Sequence, residues 1–301
     1  MNALKVIIYF SIFKYPLTKE EIFSFSSSKT IEDIELELHN LVEKRIVFKH
    51  GNYYSDVNDQ TLVDRRLKGN KMAQNIMPKA LNRAKLIMSF PFIESVSISG
   101  ALSKNYYDND GDIDFFIITK PNHLWLARTL LITYKKLFLL NSRKYFCVNY
   151  FISSDRFGIA EKNTFTATEL MTLIPVYGKN IFNQFIDSNR WAKDIYPNKD
   201  INKFYLSGST PKPFWSKTLE FIFNNAIGRK IDPYFKKITL KKWKSKFKHL
   251  KKSDFEIAMK STNDVSKHHP QDFQSRVIGS LNKRYNEKNE VFNLNLTMEN
   301  A

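Results

Sequence analysis

Apolar residues fill residues 2–13 on nearly every side, with Lys5 the one charge before Lys14, which predicts a buried helix that ends before Pro16. Thr18 and Glu21 have the spacing of a capping box and open a short helix through Phe25. Thr30 caps a third helix, with Ile31, Ile34, Leu36, Leu38 and Leu41 as its apolar side. Ile46-Val47-Phe48, a turn at Gly51 and Tyr53-Tyr54 then read as a hairpin. A basic helical stretch follows over residues 62–89, which Pro78 kinks or splits. Val96 and Ile98 alternate with serines in a strand that ends at Gly100. After a polar loop, Phe115, Phe116, Ile117 and Ile118 form a run apolar enough for a strand buried on both faces.

Beyond that strand, Pro121 and Asn122 open a helix through about Leu140, and residues 145–152 read as another strand. Residues 164–206 are helical and aromatic-rich, with Thr166 and Glu169 again at capping-box spacing and a turn at 175–178. Residues 207–213 are the clearest linker, and residues 214–227 an apolar helix stopped by Gly228. Residues 235–252 carry nine lysines and no acid, with Leu240, Trp243, Phe247 and Leu250 as a stripe. That stripe is expected in a core rather than as a membrane anchor, its alternative, and its lysine face either binds a polyanion (a nucleic-acid acceptor, a triphosphate, anionic lipid) or is solvated. Pro270 and Asp272 open a last helix, and residues 286–301 form a loose, flexible tail. His268 and His269 are not a metal pair, because adjacent side chains diverge. Lys267 and Arg276, near the start of the last helix, are candidate phosphate contacts.

The fold class is therefore α+β. Its expected parts are a three-helix and hairpin domain (1–60), connecting helices (61–90), a small mixed-sheet domain (91–160), a helical subdomain (161–206), a basic helical domain (207–285) and the tail (286–301). A chain of 301 residues, 43% hydrophobic and 26% charged, can bury a substantial core. The lone cysteine, Cys147, excludes an internal disulfide and reads as packing. No apolar run is long enough for a transmembrane segment, no secretory signal is apparent, and the chain reads as cytoplasmic. A net charge of +17 favours polyanionic partners: nucleotide, nucleic acid, or an anionic membrane touched peripherally.

The chemistry concentrates in residues 95–119. Asp112 and Asp114 lie two apart, so in extended chain both carboxylates face one way. Such a pair is costly unless a cation lies between the charges, and Mg²⁺ takes one or two carboxylates together with substrate phosphates. Gly100 permits close backbone approach to a phosphate. A strand, a small-residue turn at Gly100-Ala101, a polar loop and Asp112-Ile113-Asp114 on a strand together resemble the DNA polymerase β-like nucleotidyltransferase superfamily. The resemblance implies Mg²⁺- or Mn²⁺-dependent transfer of a nucleoside monophosphate from a nucleoside triphosphate to an acceptor, with release of pyrophosphate. Asp112 and Asp114 would hold the metal and Gly100, Ala101, Ser103 and Lys104 the phosphates.

Two departures stand out. Ala101 replaces the usual Ser or Gly, so the hydroxyl would have to come from Ser99 or Ser103. Asn149 stands where the superfamily presents a third carboxylate, and an amide cannot accept a proton at neutral pH. Asn149 is then a weak ligand, or Asp155 or Glu161 substitutes, or the protein is a catalytically impaired nucleotide- or nucleic-acid-binding member of the fold. Glu169 is explained as a capping residue, although some relatives use a glutamate from the helical domain as base. Residues 1–60 resemble a winged helix. Its third helix carries Glu32, Asp33, Glu35, Glu37 and Glu43, which phosphates would repel, so it reads as a packing or partner-docking module rather than a DNA reader.

Overall fold

The computed structural model describes residues 2–142, 144–201, 212–248, 255–256, 258–268 and 272–300. Most of the expected 207–213 linker, together with Leu250, His269 and Pro270, lies outside the described residues.

The chain folds as α+β around two sheets. The first 55 residues form α1 (Ala3–Ser11), β1 (Leu17–Thr18), α2 (Lys19–Ser24), α3 (Ile31–Glu43), β2 (Phe48–His50) and β3 (Tyr53–Ser55). Capping boxes close at Thr18/Glu21 and Thr30/Asp33. The hairpin β2–β3 is widened by β1 into a three-stranded antiparallel sheet, an addition that two residues of sequence could not announce. Ile34, Leu38 and Leu41 are buried on α3, whereas Leu36, expected on the same side, is exposed. Glu37 turns inward, accepting from the backbone N–H groups of Ala3 and Leu4 and so capping α1.

A 28-residue helix, α4 (Thr61–Met88), runs unbroken through Pro78, which does not split it. From it Arg66 grips Glu21 with both terminal nitrogens at 2.6 Å, locking the long helix to the α2 capping box. Gly69 makes room for the Tyr106 ring, which a Cβ there would overlap.

The larger sheet has the order β7-β4-β5-β6-β8, from β4 (Ile93–Ser99), β5 (Asp114–Thr119), β6 (Cys147–Ser153), β7 (Ile174–Tyr177) and β8 (Val265–Lys267). The pair β5–β6 is parallel, joined by the crossover helix α6 (Leu124–Phe138), and every other pair is antiparallel. Alternation along β5 sends Phe116 and Ile118 to one face and Phe115 and Ile117 to the other. The first face meets α1, α7 (Thr164–Thr172), α8 (Lys179–Ser188), α9 (Trp191–Ile195) and α12 (Phe273–Phe292). The second meets α4, α6 and α11 (Ala226–Lys246), where Trp243 is buried and Leu240 and Phe247 pack against the cluster. Helices on both sides are why β5 is an uninterrupted apolar run.

Four expectations change. Residues 174–177 are an edge strand rather than part of a turn, since an edge tolerates Pro175. The N-cap of α7 is Asn163, which accepts from Thr166, so Thr166 is no cap and Glu169 is released from that duty. Helix α10 (Phe214–Phe223) ends before Gly228, which lies inside α11; a Cβ there would overlap the Phe223 carbonyl, so the tight α10–α11 corner requires the glycine. The supposed loose tail is helical to Phe292 and then docks: Leu296 is buried, and Thr164 donates to Glu299 at 2.7 Å.

Candidate functional site

The register pairs Ser99 with Asp114, so the turn after β4 lies beside the first residue of β5. Gly100 begins a single helical turn, α5 (Gly100–Ser103), with φ of +68°. A Cβ on it would lie 2.5 Å from Asp114 Oδ2. Glycine is thus required twice, by its backbone angle and by the carboxylate pressed against it. Ile113 is buried and holds the strand's start, its N–H donating to Lys144 O and its carbonyl accepting from Cys147 N, each at 3.0 Å. Asp112 and Asp114 flank that anchor, and both line the same cleft.

On the neighbouring strand the register shifts beside Phe115 and Phe116, leaving Asn149 at a bulge. A bulge re-aims a side chain. Here the amide Nδ2 points to Asp114 Oδ1 at 3.3 Å and to Cys147 Sγ at 2.9 Å. Lys104, one turn past Gly100, donates to the Gly100 carbonyl at 3.0 Å and pairs with Glu169 at 2.8 Å.

These groups open into a cleft of about 590 Å³. Gly100, Ala101, Lys104, Asp112, Asp114 and Asn149 all line it. Ser103 does not: it is buried, with its hydroxyl donating to Gly100 O at 2.8 Å, so of the two serines considered Ser99 is the one facing the cleft. Asp155 bonds Ser153 and borders a separate depression near Arg156 and Asp264. Glu161 reaches the cleft, but as the partner of Lys260 at 2.8 Å. Glu169 also lines the cleft, as do Asp110 and Asp272.

Several lining groups come from distant parts of the chain, and of them the sequence singled out Lys267 alone; Arg276, named with it, does not line the cleft. Phe10, Phe13 and Tyr15 come from the N-terminal unit, and Lys267, Phe273 and Gln274 from chain more than 100 residues beyond Asp114. Lys267 is buried, with Nζ donating to Gln274 at 3.0 Å, and desolvation lowers its pKa. Only packing of the two ends of the chain onto one sheet face brings them together.

Burial pushes Asp114 up to about 7, opposed by a hydrogen bond from the Cys147 thiol and assisted by the charges of Asp112 and Glu169. The Cys147 thiol is raised far above the ordinary range by burial, then by Asp114, and is no nucleophile. Among the described residues no group of three or more His, Cys, Asp or Glu side chains forms a metal cage. Two carboxylates on one side of a cleft nevertheless suit Mg²⁺, which leaves its remaining positions to water and phosphate. Burial is the main reason Asp114 is raised, and a divalent cation bound beside it would favour its ionised form.

Compared with family models, curated proteins and solved structures, the chain matches none.

Proposed function

We propose that the cleft binds a nucleoside triphosphate with Mg²⁺ and transfers its nucleoside monophosphate to an acceptor, as in the polymerase β-like nucleotidyltransferases that residues 90–155 resemble. The observation that carries this is the contact between Gly100 and Asp114: a left-handed glycine fitted against the second carboxylate of an Asp-X-Asp pair at the mouth of a cleft. The strand order also supports it, with an antiparallel pair joined through a small-residue turn and a parallel third strand bearing Asn149.

Asp112 and Asp114 would hold the metal, which when bound neutralises charge on the phosphates. Ser99, Gly100 and Ala101 offer the turn on which the phosphates rest. Attack by the acceptor oxygen on the α-phosphorus forms the new ester bond and expels pyrophosphate. Asn149 cannot take the acceptor's proton; Glu169, which lines the cleft and pairs with Lys104, is the carboxylate we assign to that task once Lys104 turns to phosphate. Phe10, Phe13 and Tyr15 make the N-terminal unit, which we read as a winged helix, a wall of the cleft.

Asn149 favours a second reading, a nucleotide-binding protein with impaired catalysis. Incubation with α-labelled triphosphates, Mg²⁺ and candidate acceptors, small molecules and RNA included, separates the two. Transfer that disappears in Asp112→Asn/Asp114→Asn supports the transferase. Metal-dependent nucleotide binding without transfer supports the second, and labelling that survives the double substitution refutes both.

A further inference from the structure

Helix α10 is turned inside out. Its inward side is largely polar: Ser216 is fully buried, Glu220 accepts from the Phe92 N–H at 2.7 Å and pairs with Lys212 and Lys120, and Phe223 at the helix end packs on the core. Its outer side carries Phe214 (86% exposed), Trp215, Phe221 (85% exposed) and Ile222. The spacing i, i+1, i+7 and i+8 sets these four on one stripe. A globular surface helix ordinarily does the reverse.

The stripe continues onto a second element. Trp215 meets Phe90 at 5.3 Å, Phe90 meets Tyr134 at 5.5 Å, and Tyr134 stacks on Phe138 at 5.0 Å. There the end of α6 exposes Leu137, Phe138 and Leu140. The apolar surface is thus built from two helix ends linked by an aromatic chain.

The exposed charge on these two segments has one sign. Between residues 212 and 248 the acids are Glu220 and Asp232, and both face inward, Asp232 accepting from the Leu126 N–H at 2.8 Å. Residues 129–144 contain no acid. Lys136, Lys144, Lys217, Arg229 and Lys230 are exposed. A second copy of a chain bearing +17 would bring like charge against like charge. Nucleic acid would use the cations but leave aliphatic Leu137, Leu140 and Ile222 unexplained.

We propose that this face docks on an anionic lipid bilayer, with Phe214, Trp215, Phe221 and the end of α6 entering the headgroup boundary while the lysines and Arg229 meet acidic headgroups. The docking is peripheral, since no helix among the described residues is long and apolar enough to cross a membrane. It is independent of the nucleotide chemistry.

The test is co-sedimentation of the full chain with vesicles of phosphatidylcholine alone and of phosphatidylcholine mixed with phosphatidylglycerol, with tryptophan quenching by brominated lipid. The expected result is binding to the mixed vesicles only, weakened by salt. Phe214→Ser/Phe221→Ser should lower it by about tenfold or more without lowering the melting temperature, because both rings are exposed. Lys217→Glu/Lys230→Glu should lower it and blunt the salt dependence. Absence of binding to anionic vesicles overturns the proposal, as does binding that the aromatic variant leaves unchanged. A dimer that this variant dissolves would assign the face to a second copy instead, and RNA binding that it abolishes, without vesicle binding, would assign it to nucleic acid.

Discussion

Gly100 is where backbone geometry and charge meet. Its φ of +68° and the 2.5 Å from a built Cβ to Asp114 Oδ2 predict that Gly100→Ala destabilises the fold by about 2 kcal/mol and displaces the carboxylate. Urea denaturation reads the first effect, and Mg²⁺-dependent nucleotide binding the second. Asp114 supplies a pH dependence. Its proton is held more tightly in the folded chain, at about 7, than in the unfolded one, at the ordinary 3.8. The metal-free protein should therefore lose stability as pH rises between those values, on the order of 1 kcal/mol per pH unit at most. Asp114→Asn should flatten that slope in chelator, and Mg²⁺ should raise the melting temperature above pH 7 and not near pH 4, where the proton displaces it. Asn149→Asp adds a third carboxylate beside Asp114 and is expected to tighten Mg²⁺ binding at pH 8, measured by calorimetry, while lowering metal-free stability through like-charge repulsion.

At the scale of elements, local signals fared unevenly. The capping box at Thr18 and the cap at Thr30 form and the apolar run 115–118 is the central strand, whereas the same spacing at Thr166 and Glu169 makes no cap, because Asn163 starts that helix earlier. Elements whose existence depends on a distant neighbour were silent or misleading. The three-residue β8 exists because β6 offers it an edge, and β7 because β4 does. The C-terminal segment, polar in composition, is held by Leu296 and by the side chains of Asn282 and Asn289 bonding its backbone. Deleting residues 293–301 should cost about 2 kcal/mol or more, since a buried leucine alone contributes that much. A chemical-denaturation midpoint equal to that of the full chain would show the segment to be dispensable.

Across the whole molecule, residues 1–60 share their core with the rest of the chain. Ile7, Ile8 and Phe10 of α1 belong to one apolar cluster with Phe116 and Ile118 of β5 and with Val277 and Leu281 of α12. The central strand also feeds the cluster on the opposite face. Unfolding is expected as one transition: Trp191, which packs on the first cluster, and Trp125 and Trp243, in the second, should report the same midpoint as far-UV circular dichroism. Separate midpoints would mean that the faces fold apart. A fragment of residues 1–60 should show no cooperative melting, because α1 would expose the residues it now buries.

Sequence alone established the α+β class, the apolar strand that Asp114 begins, Asp112 two residues before it, and the glycine turn that precedes them. Each of these depends on spacings of a few residues, which backbone geometry converts directly into direction. Tertiary structure decided what faces the pair. It turned Ser103 inward, carried Glu169 and Lys267 to the cleft, and brought Phe10 and Phe273 from opposite ends of the chain to its walls. Those placements follow from burial of two sheet faces at once, and the alternation that satisfies both is set by every strand together.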